Sequence, residues 1–345
     1  MGTLRNREYL SGNFGRLGQL WERWLRSRES WLILLLALLV IGTASMNARF
    51  LGPQNIKDLM LNVSLIALLA IGQSIPIIMR QIDLSVGSIV GITAFLSGLI
   101  FFGHPNTPSL VVFLVGTGVG LLLGAVNAGL IIWGRVPSLI ATLGTLYIYR
   151  GADYAWVHGR QINAANVPSS FLALGNIGFL GVPLLMWIVI LFLILIGTIL
   201  RRLPMGRECY AIGSNPAAAI LAGINLHRRV SIGFLFSGAI AGLTGVLWLA
   251  RFGTVDATAG LGIEFQVVTA AVVGGVAITG GTGTVIGAAL GALLLGVFNS
   301  ALVVLRVPPF WQQAFQGTML LVAISVDAYL AHRLAIRLRI KRSHV

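Results

Sequence analysis

RRLPMGRECYAIGSNPAAAILAGINLHRR, residues 201–229, is a polar interruption between two apolar runs at 184–200 and 230–250. Each run approaches the ~20 residues that a helix needs to cross the hydrocarbon core of a bilayer. Arginine pairs bracket the interruption, which also holds the only cysteine of the chain, Cys209. A short helix is written at its centre. Asn215 is placed to cap the amino end, and Pro216 takes the first helical position, where its missing N–H costs nothing. Ala217, Ala218, Ala219 and Ala222 favour helix, and Gly223 suits a left-handed residue beyond the carboxyl end. The helix at 215–222, with Asn215 as its cap, is only about 10 Å long over the residues that follow, at 1.5 Å per residue. It is too short to persist alone and needs a surface to dock on.

The rest of the chain is organised as membrane spans around this interruption. Of 345 residues, 57% are hydrophobic and only 10% charged, against about 25% charged in soluble domains. Apolar runs predict spans at 31–45, 59–79, 84–103, 109–133, 137–157, 182–200, 230–250, 263–278, 285–305 and 312–331. The fold class is therefore an all-α, polytopic helical bundle of about ten transmembrane helices. The fifth and eighth spans are the least well bounded. Residues 1–30 form a basic segment. Ahead of the first run it is long for a signal peptide and lacks a clean A-x-A site, so an uncleaved first span is expected. Trp21, Trp24 and Trp31 suit the headgroup zone. The spans and their loops fill residues 31–332, and residues 333–345 form a basic tail.

The net charge of +14 follows membrane orientation and not nucleic-acid binding, since no basic stretch is interleaved with aromatics. With a cytoplasmic amino end, eighteen of the 24 basic residues fall in inside segments and six in outside loops. That split places both termini and residues 201–229 in the cytoplasm. Glycines recur every fourth residue at Gly116, Gly120 and Gly124, at Gly238 and Gly242, and at Gly283, Gly287 and Gly291. Such small-xxx-small faces let helix backbones approach closely, in a moving interface or in static packing.

Missing chemistry narrows the function. One cysteine and five scattered histidines offer no metal-ligand spacing, so neither a metal nor a cofactor is expected. Asp83, Asp153, Asp256, Glu264 and Asp327 fall near span ends or in outside loops, which leaves no relay for ion coupling. Asp83 or Ser85 is expected to cap the following span. Gly275 to Thr282 reads G-x-x-x-x-G-G-T, with Gly281 where a phosphate-binding loop needs Lys, so a tight turn is expected there. Uphill transport would then need a motor in another chain.

Longer blocks resemble a known family. IDLSVGSIVG (82–91), VPSLIATLGTLYIYRG (136–151), MGRECYAIGSNPAAAILAGIN (205–225), SGAIAGLTGVLWLAR (237–251) and residues 258–296 are similar to permease subunits of bacterial ABC monosaccharide importers, of the ribose, xylose, rhamnose and autoinducer-2 type. Ser138 and Leu139 stand where members often show Pro-Phe. Phe265 and Gln266 stand where they often show Leu-Asp. The resemblance implies an inner-membrane protein that works with a cytoplasmic ABC ATPase, a second permease subunit and a periplasmic sugar-binding protein, in contact with membrane lipid and without nucleic acid. It implies that the helix at 215–222 is the coupling helix. Gly206, Arg207, Glu208, Gly213, Asn215, Pro216, Ala218, Gly223 and Ile224 are then the ATPase-coupling residues. Asp83, Ser85, Gly87, Thr142, Gly144 and Glu264, with Gly274, Gly275, Gly280 and Gly281, are structural or pathway candidates. A stand-alone secondary sugar carrier or facilitator is the alternative, and no nucleophile–base set supports an enzyme.

Overall fold

A computed structural model describes residues 28–342. The basic segment before residue 28 and the last three residues of the tail lie outside the described residues. Thirteen α-helices make up the described chain. They are α1 (Arg28–Met46), α2 (Pro53–Ile78), α3 (Val86–Gly103), α4 (Ser109–Ile132), α5 (Ser138–Val157), α6 (Ser169–Leu174), α7 (Leu184–Arg202), α8 (Pro204–Ser214), α9 (Pro216–Leu221), α10 (Leu226–Phe252), α11 (Ile263–Val273), α12 (Val285–Val304) and α13 (Pro309–Arg342). Seven of them, α1, α2, α3, α4, α7, α10 and α12, are long and apolar enough to cross a membrane. The fifth predicted span is a full helix, α5. The eighth is not: α11 has eleven residues, about 16 Å, and stops at Gly274 and Gly275. The left-handed φ of 90° at Gly275 turns the chain out of the helix.

Contacts sort the loops into two ends. At one end, which carries α8 and α9 and is called inner here, Arg80 reaches Ser214 and Tyr210 reaches Gly283. At the outer end, Asn47 bonds the Val304 carbonyl, Arg251 pairs with Asp58, and Ile162 bridges Val255. Every one of these contacts joins loops that the charge count assigned to one side. The outer loop at 158–181, read from sequence as a plain loop, holds α6 and the first strand of a small hairpin. Its strands β1 (Gly178–Phe179) and β2 (Val182–Pro183) are joined by Leu180 and Gly181, both left-handed, as a two-residue hairpin turn requires.

The core is built on α10, which packs against α4, α3 and α2. Its crossing with α4 has no room for side chains. A Cβ on Gly120 would meet the backbone of Gly238 and Gly242, one on Gly124 would meet that of Phe234 and Gly238, and one on Gly116 would meet Val246. Two of the three glycine series read from the sequence are thus the two faces of one interface. Hydrophobicity drives little association between helices in lipid, so close backbone packing supplies the attraction. Away from this core, Leu34, Leu38, Leu114, Leu122, Leu191 and Ile194 are exposed, as a lipid-facing surface requires.

Gly120→Val should destabilise the detergent-solubilised protein by about 1–3 kcal/mol through overpacking. Gly118→Val, where nothing lies within 4 Å, should leave thermal stability unchanged. Equal stability of the two variants would contradict this packing.

Candidate coupling site and polar interior

The interruption folds as two helices. The first, α8, was not read from the sequence, although its signals are local. Pro204 opens it at a first-turn position, and Gly206, Cys209, Ile212 and Gly213 are buried at helical spacing. Gly206 is buried because its α-carbon faces the backbone of Ile199 and Leu200 at the end of α7. Burial raises the Cys209 thiol to about 11 and also raises the Tyr210 phenol. Arg229 ion-pairs with Glu208, which holds that carboxyl below its ordinary value. Arg207 is exposed.

The second helix, α9, is capped as the sequence predicts. The Asn215 side chain accepts from the Ala218 N–H at 3.1 Å, and Pro216 follows at the first helical position. At the other end Gly223 has φ 80°, its N–H bonds the Ile220 carbonyl, and the Ile224 N–H bonds the Ala219 carbonyl, both at 3.0 Å. That is the six-to-one and five-to-two pairing of a Schellman cap. Asn225, which the sequence reading left unassigned, caps α10 through the Arg228 N–H at 2.9 Å. Only Ala219 of α9 is buried. Ala217, Ala218, Ile220 and Leu221 are exposed, Leu221 by 90%.

Behind this exposed helix, α8 is clamped to two other breaks in the bundle. Arg80, left-handed at φ 64°, ends α2 and donates to the carbonyls of Gly213 and Ser214, the latter at 2.8 Å. The Gly281 N–H bonds the Ile78 carbonyl at 2.8 Å, and the Tyr210 hydroxyl bonds the Gly283 carbonyl at 2.8 Å. Gly213, Gly280 and Gly281 therefore meet as backbone against backbone, and a side chain on Gly213 would overlap Ile78 and Gly281. Gly274 is also in the same turn but touches α12, at Gly287. Residues 274–284 thus form a tight turn between α11 and α12, as expected.

The acidic residues require a correction. Asp83, Asp153 and Glu264 do lie near helix ends, but they are buried inside the bundle and not open in the loops. After Arg80 the chain turns back along α2. Asp83 then accepts from Ser237 at 2.9 Å, seven residues past Val230 and so about 10 Å into the apolar part of α10. Asp83 also accepts from the Ser85 N–H at 3.0 Å and hydroxyl at 2.6 Å, so it orders the turn before α3. Ser85 itself makes no side-chain cap. The network continues from Ser85 to Asn127 at 2.7 Å and from Asn127 to Thr145 at 2.7 Å, while Gln73 bonds the Asp83 carbonyl at 3.0 Å. Thr142 fixes the same segment by donating to the Ile82 carbonyl at 3.1 Å. Gly144 is exposed and takes no part.

A second buried cluster lies toward the outer end. The Arg150 guanidinium donates to the carbonyls of Ala257, Ala259 and Gly87 at 2.8–3.1 Å and sits 3.7 Å from Asp153. Glu264 packs against Gly87, where a Cβ would strike its carboxylate. Gly87 and Glu264 are thus brought together, with Arg150 of α5 donating to the Gly87 carbonyl. Among the described residues no group of three or more His, Cys, Asp or Glu is close enough to hold a metal ion.

Two outcomes are expected from the clamp. Cys209 should react slowly with a small thiol reagent at neutral pH and faster as pH rises toward about 11, because the neutral thiol is the form present below that value. Gly213→Val, which separates α8 from the turn, should raise the rate at neutral pH. Equal rates in the two proteins would contradict the clamp.

Comparison with known proteins agrees with this architecture. Residues 55–324 match the family described as branched-chain amino acid transport system / permease component. The chain is 33% identical over 311 residues to an autoinducer 2 import system permease protein of Klebsiella pneumoniae, covering 90% of this chain and 89% of the relative. It is 36% identical over 312 residues, 90% and 89% of the two chains, to the protein of that name from Enterobacter sp. strain 638. The protein of that name from Salmonella typhimurium is 32% identical over 313 residues, 91% and 89% of the two chains. No solved structure matches the chain. The resemblance read from the sequence motifs is borne out, and the chain is a multi-pass transporter subunit, not an enzyme. It belongs to the family of branched-chain amino acid transport system permease components.

Proposed function

We propose that this chain is the membrane-spanning permease of an ATP-binding-cassette importer that carries a neutral monosaccharide or sugar-like solute, of the autoinducer-2, ribose, xylose or rhamnose class, into the cytoplasm. The observation that carries the reading is α9: a helix capped at both ends, exposed on its apolar residues Ile220 and Leu221, and backed by the clamp at Gly213. An exposed apolar helix of six residues is stable only if a partner covers it or its neighbours hold it, and here they do the holding. A cytoplasmic ATPase that docks on this face has a direct mechanical route inward. Its push passes through Ser214 to Arg80, and the segment after Arg80 carries Asp83 to Ser237 on α10. Alternating access would follow from tilting α10 and α2 around the Asp83 network. The relatives are named as permease proteins of an import system, which supports partner subunits for this chain, and the resemblance in sequence implies that these are two ATPases, a second permease and a periplasmic binding protein. The basic residues at the inner end support a cytoplasmic position for α8, α9 and both termini.

The buried carboxylates at Asp153 and Glu264 favour the second reading, a stand-alone ion-coupled carrier, because each has an oxygen without a hydrogen-bond partner.

Three outcomes test the proposal. In the assembled importer, Leu221→Asp should abolish solute-stimulated ATP hydrolysis while the chain still inserts. Gly223→Val, which forces a β-branched residue to φ 80°, should lower transport by opening the Schellman cap. Unchanged uptake in both would contradict docking at α9. Ala222→Cys, exposed where Cys209 is buried, should be labelled by a membrane-impermeant thiol reagent in inside-out vesicles and not in intact cells. The reverse pattern would invert the topology.

A further inference from the structure

Asn62 is out of place. From residue 61 to residue 78 every other residue of α2 is buried, and Asn62 alone is exposed. It opens on a chamber of about 620 Å³ between α2, α10, α11 and α12 at the outer end. Asn55, Gln266, Asn299 and Ser300 supply the rest of its neutral polar lining. Trp248, tilted 48° against Phe252 with ring centroids 4.6 Å apart, gives it an aromatic wall. A second chamber of about 590 Å³, between α11, α12 and α13, carries Gln312, Gln313 and Gln316. Gln266 and Asn299 line both chambers and form the partition between them.

The chemistry of this lining is selective. Each amide offers two donors and a carbonyl acceptor, the pattern that a hydroxyl, itself donor and acceptor, pairs with. Gln316 already donates to Asn299 at 3.2 Å, but the amides of Asn62 and Gln266 make no hydrogen bond to the protein. The only charged residues in the lining, Asp58 and Arg251, pair with each other at 2.7 Å, so an ionic solute finds no free counter-charge. Both volumes lie in the range of about 300–1,000 Å³ typical of small-molecule sites.

We infer that these two chambers receive a neutral polyhydroxylated solute of monosaccharide size, with Asn62, Gln266 and Asn299 as its specificity-determining contacts. Trp248 packs against the C–H face of the solute, and the amides exchange water for its hydroxyls. The inference rests on the importer reading and names the entry site that such an importer would use.

Thiol labelling in the full chain, in its membrane, tests it. Native Cys209 is buried and silent, so Asn62→Cys and Gln266→Cys report the chambers alone. An impermeant thiol reagent applied from the outer side should label both positions. D-ribose, D-xylose or L-rhamnose should slow the reaction at Gln266→Cys, by about threefold at twice the Kd of the bound sugar, while D-ribonate at equal concentration should not. Absence of labelling would mean that lipid or a second subunit fills the chambers, and it overturns the inference. So does a rate that no sugar changes, or one that ribonate slows equally. Substitutions in α9 leave this labelling intact, so a failed docking site and a failed chamber give different results.

Discussion

A break in a helix frees backbone donors and acceptors, and where the break is buried against other chain segments they have to find partners inside the protein. Three breaks meet at the inner end of this bundle, and they satisfy one another. The segment after α2 gives the Arg80 guanidinium to the open carbonyls at the end of α8. The turn between α11 and α12 gives the Gly281 N–H to the Ile78 carbonyl at the end of α2 and takes the Tyr210 hydroxyl from α8 at its Gly283 carbonyl. Glycine is required where these backbones touch, because a side chain at Gly213 or Gly281 would occupy the partner strand of chain. Each of the three breaks thus bonds both of the others.

This mutual satisfaction ties the surface of the protein to its interior. Arg80 is three residues from Asp83, and Asp83 is bonded to Ser237 in the central helix α10. The glycine-lined crossing of α4 and α10 then leaves α10 held by close backbone packing on one side and by the Asp83 network on the other. A displacement at α9 therefore bears first on Arg80, then on the two helices that border the outer chamber, α2 and α10.

What was legible in the sequence was whatever depends on near neighbours in the chain. Asn215, Pro216 and Gly223 specify α9 within nine residues, and the structure has both caps where they were read. Each apolar run found a helix, because hydropathy over a long window is insensitive to tertiary context, but α11 ends short of its run, α13 continues well past residue 331, and seven of the helices are long and apolar enough to cross a membrane. The glycine series were visible too, but not that two of them face each other. The misses have a common cause. Gln73 and Ser237 reach Asp83 from α2 and α10, Asn127 and Thr145 join through Ser85 from α4 and α5, and no spacing rule links the four. Asp153 and Glu264 are near helix ends as read, but their burial shows only once Arg150 and Gly87 are folded against them. Only α8 had a usable local signal, in Pro204 and the spacing of Gly206, Cys209 and Gly213, and the polar composition around it concealed that pattern.

The account turns on whether this chain moves solute only when driven through α9. The most direct measurement is sugar uptake into proteoliposomes that contain either the chain alone or the chain with its ATPase and binding protein. Uptake confined to the complete system with ATP, and absent from the chain alone under an imposed proton or sodium gradient, is the predicted result. Gradient-driven uptake by the chain alone would contradict it and would assign the buried carboxylates at Asp153 and Glu264 to ion coupling.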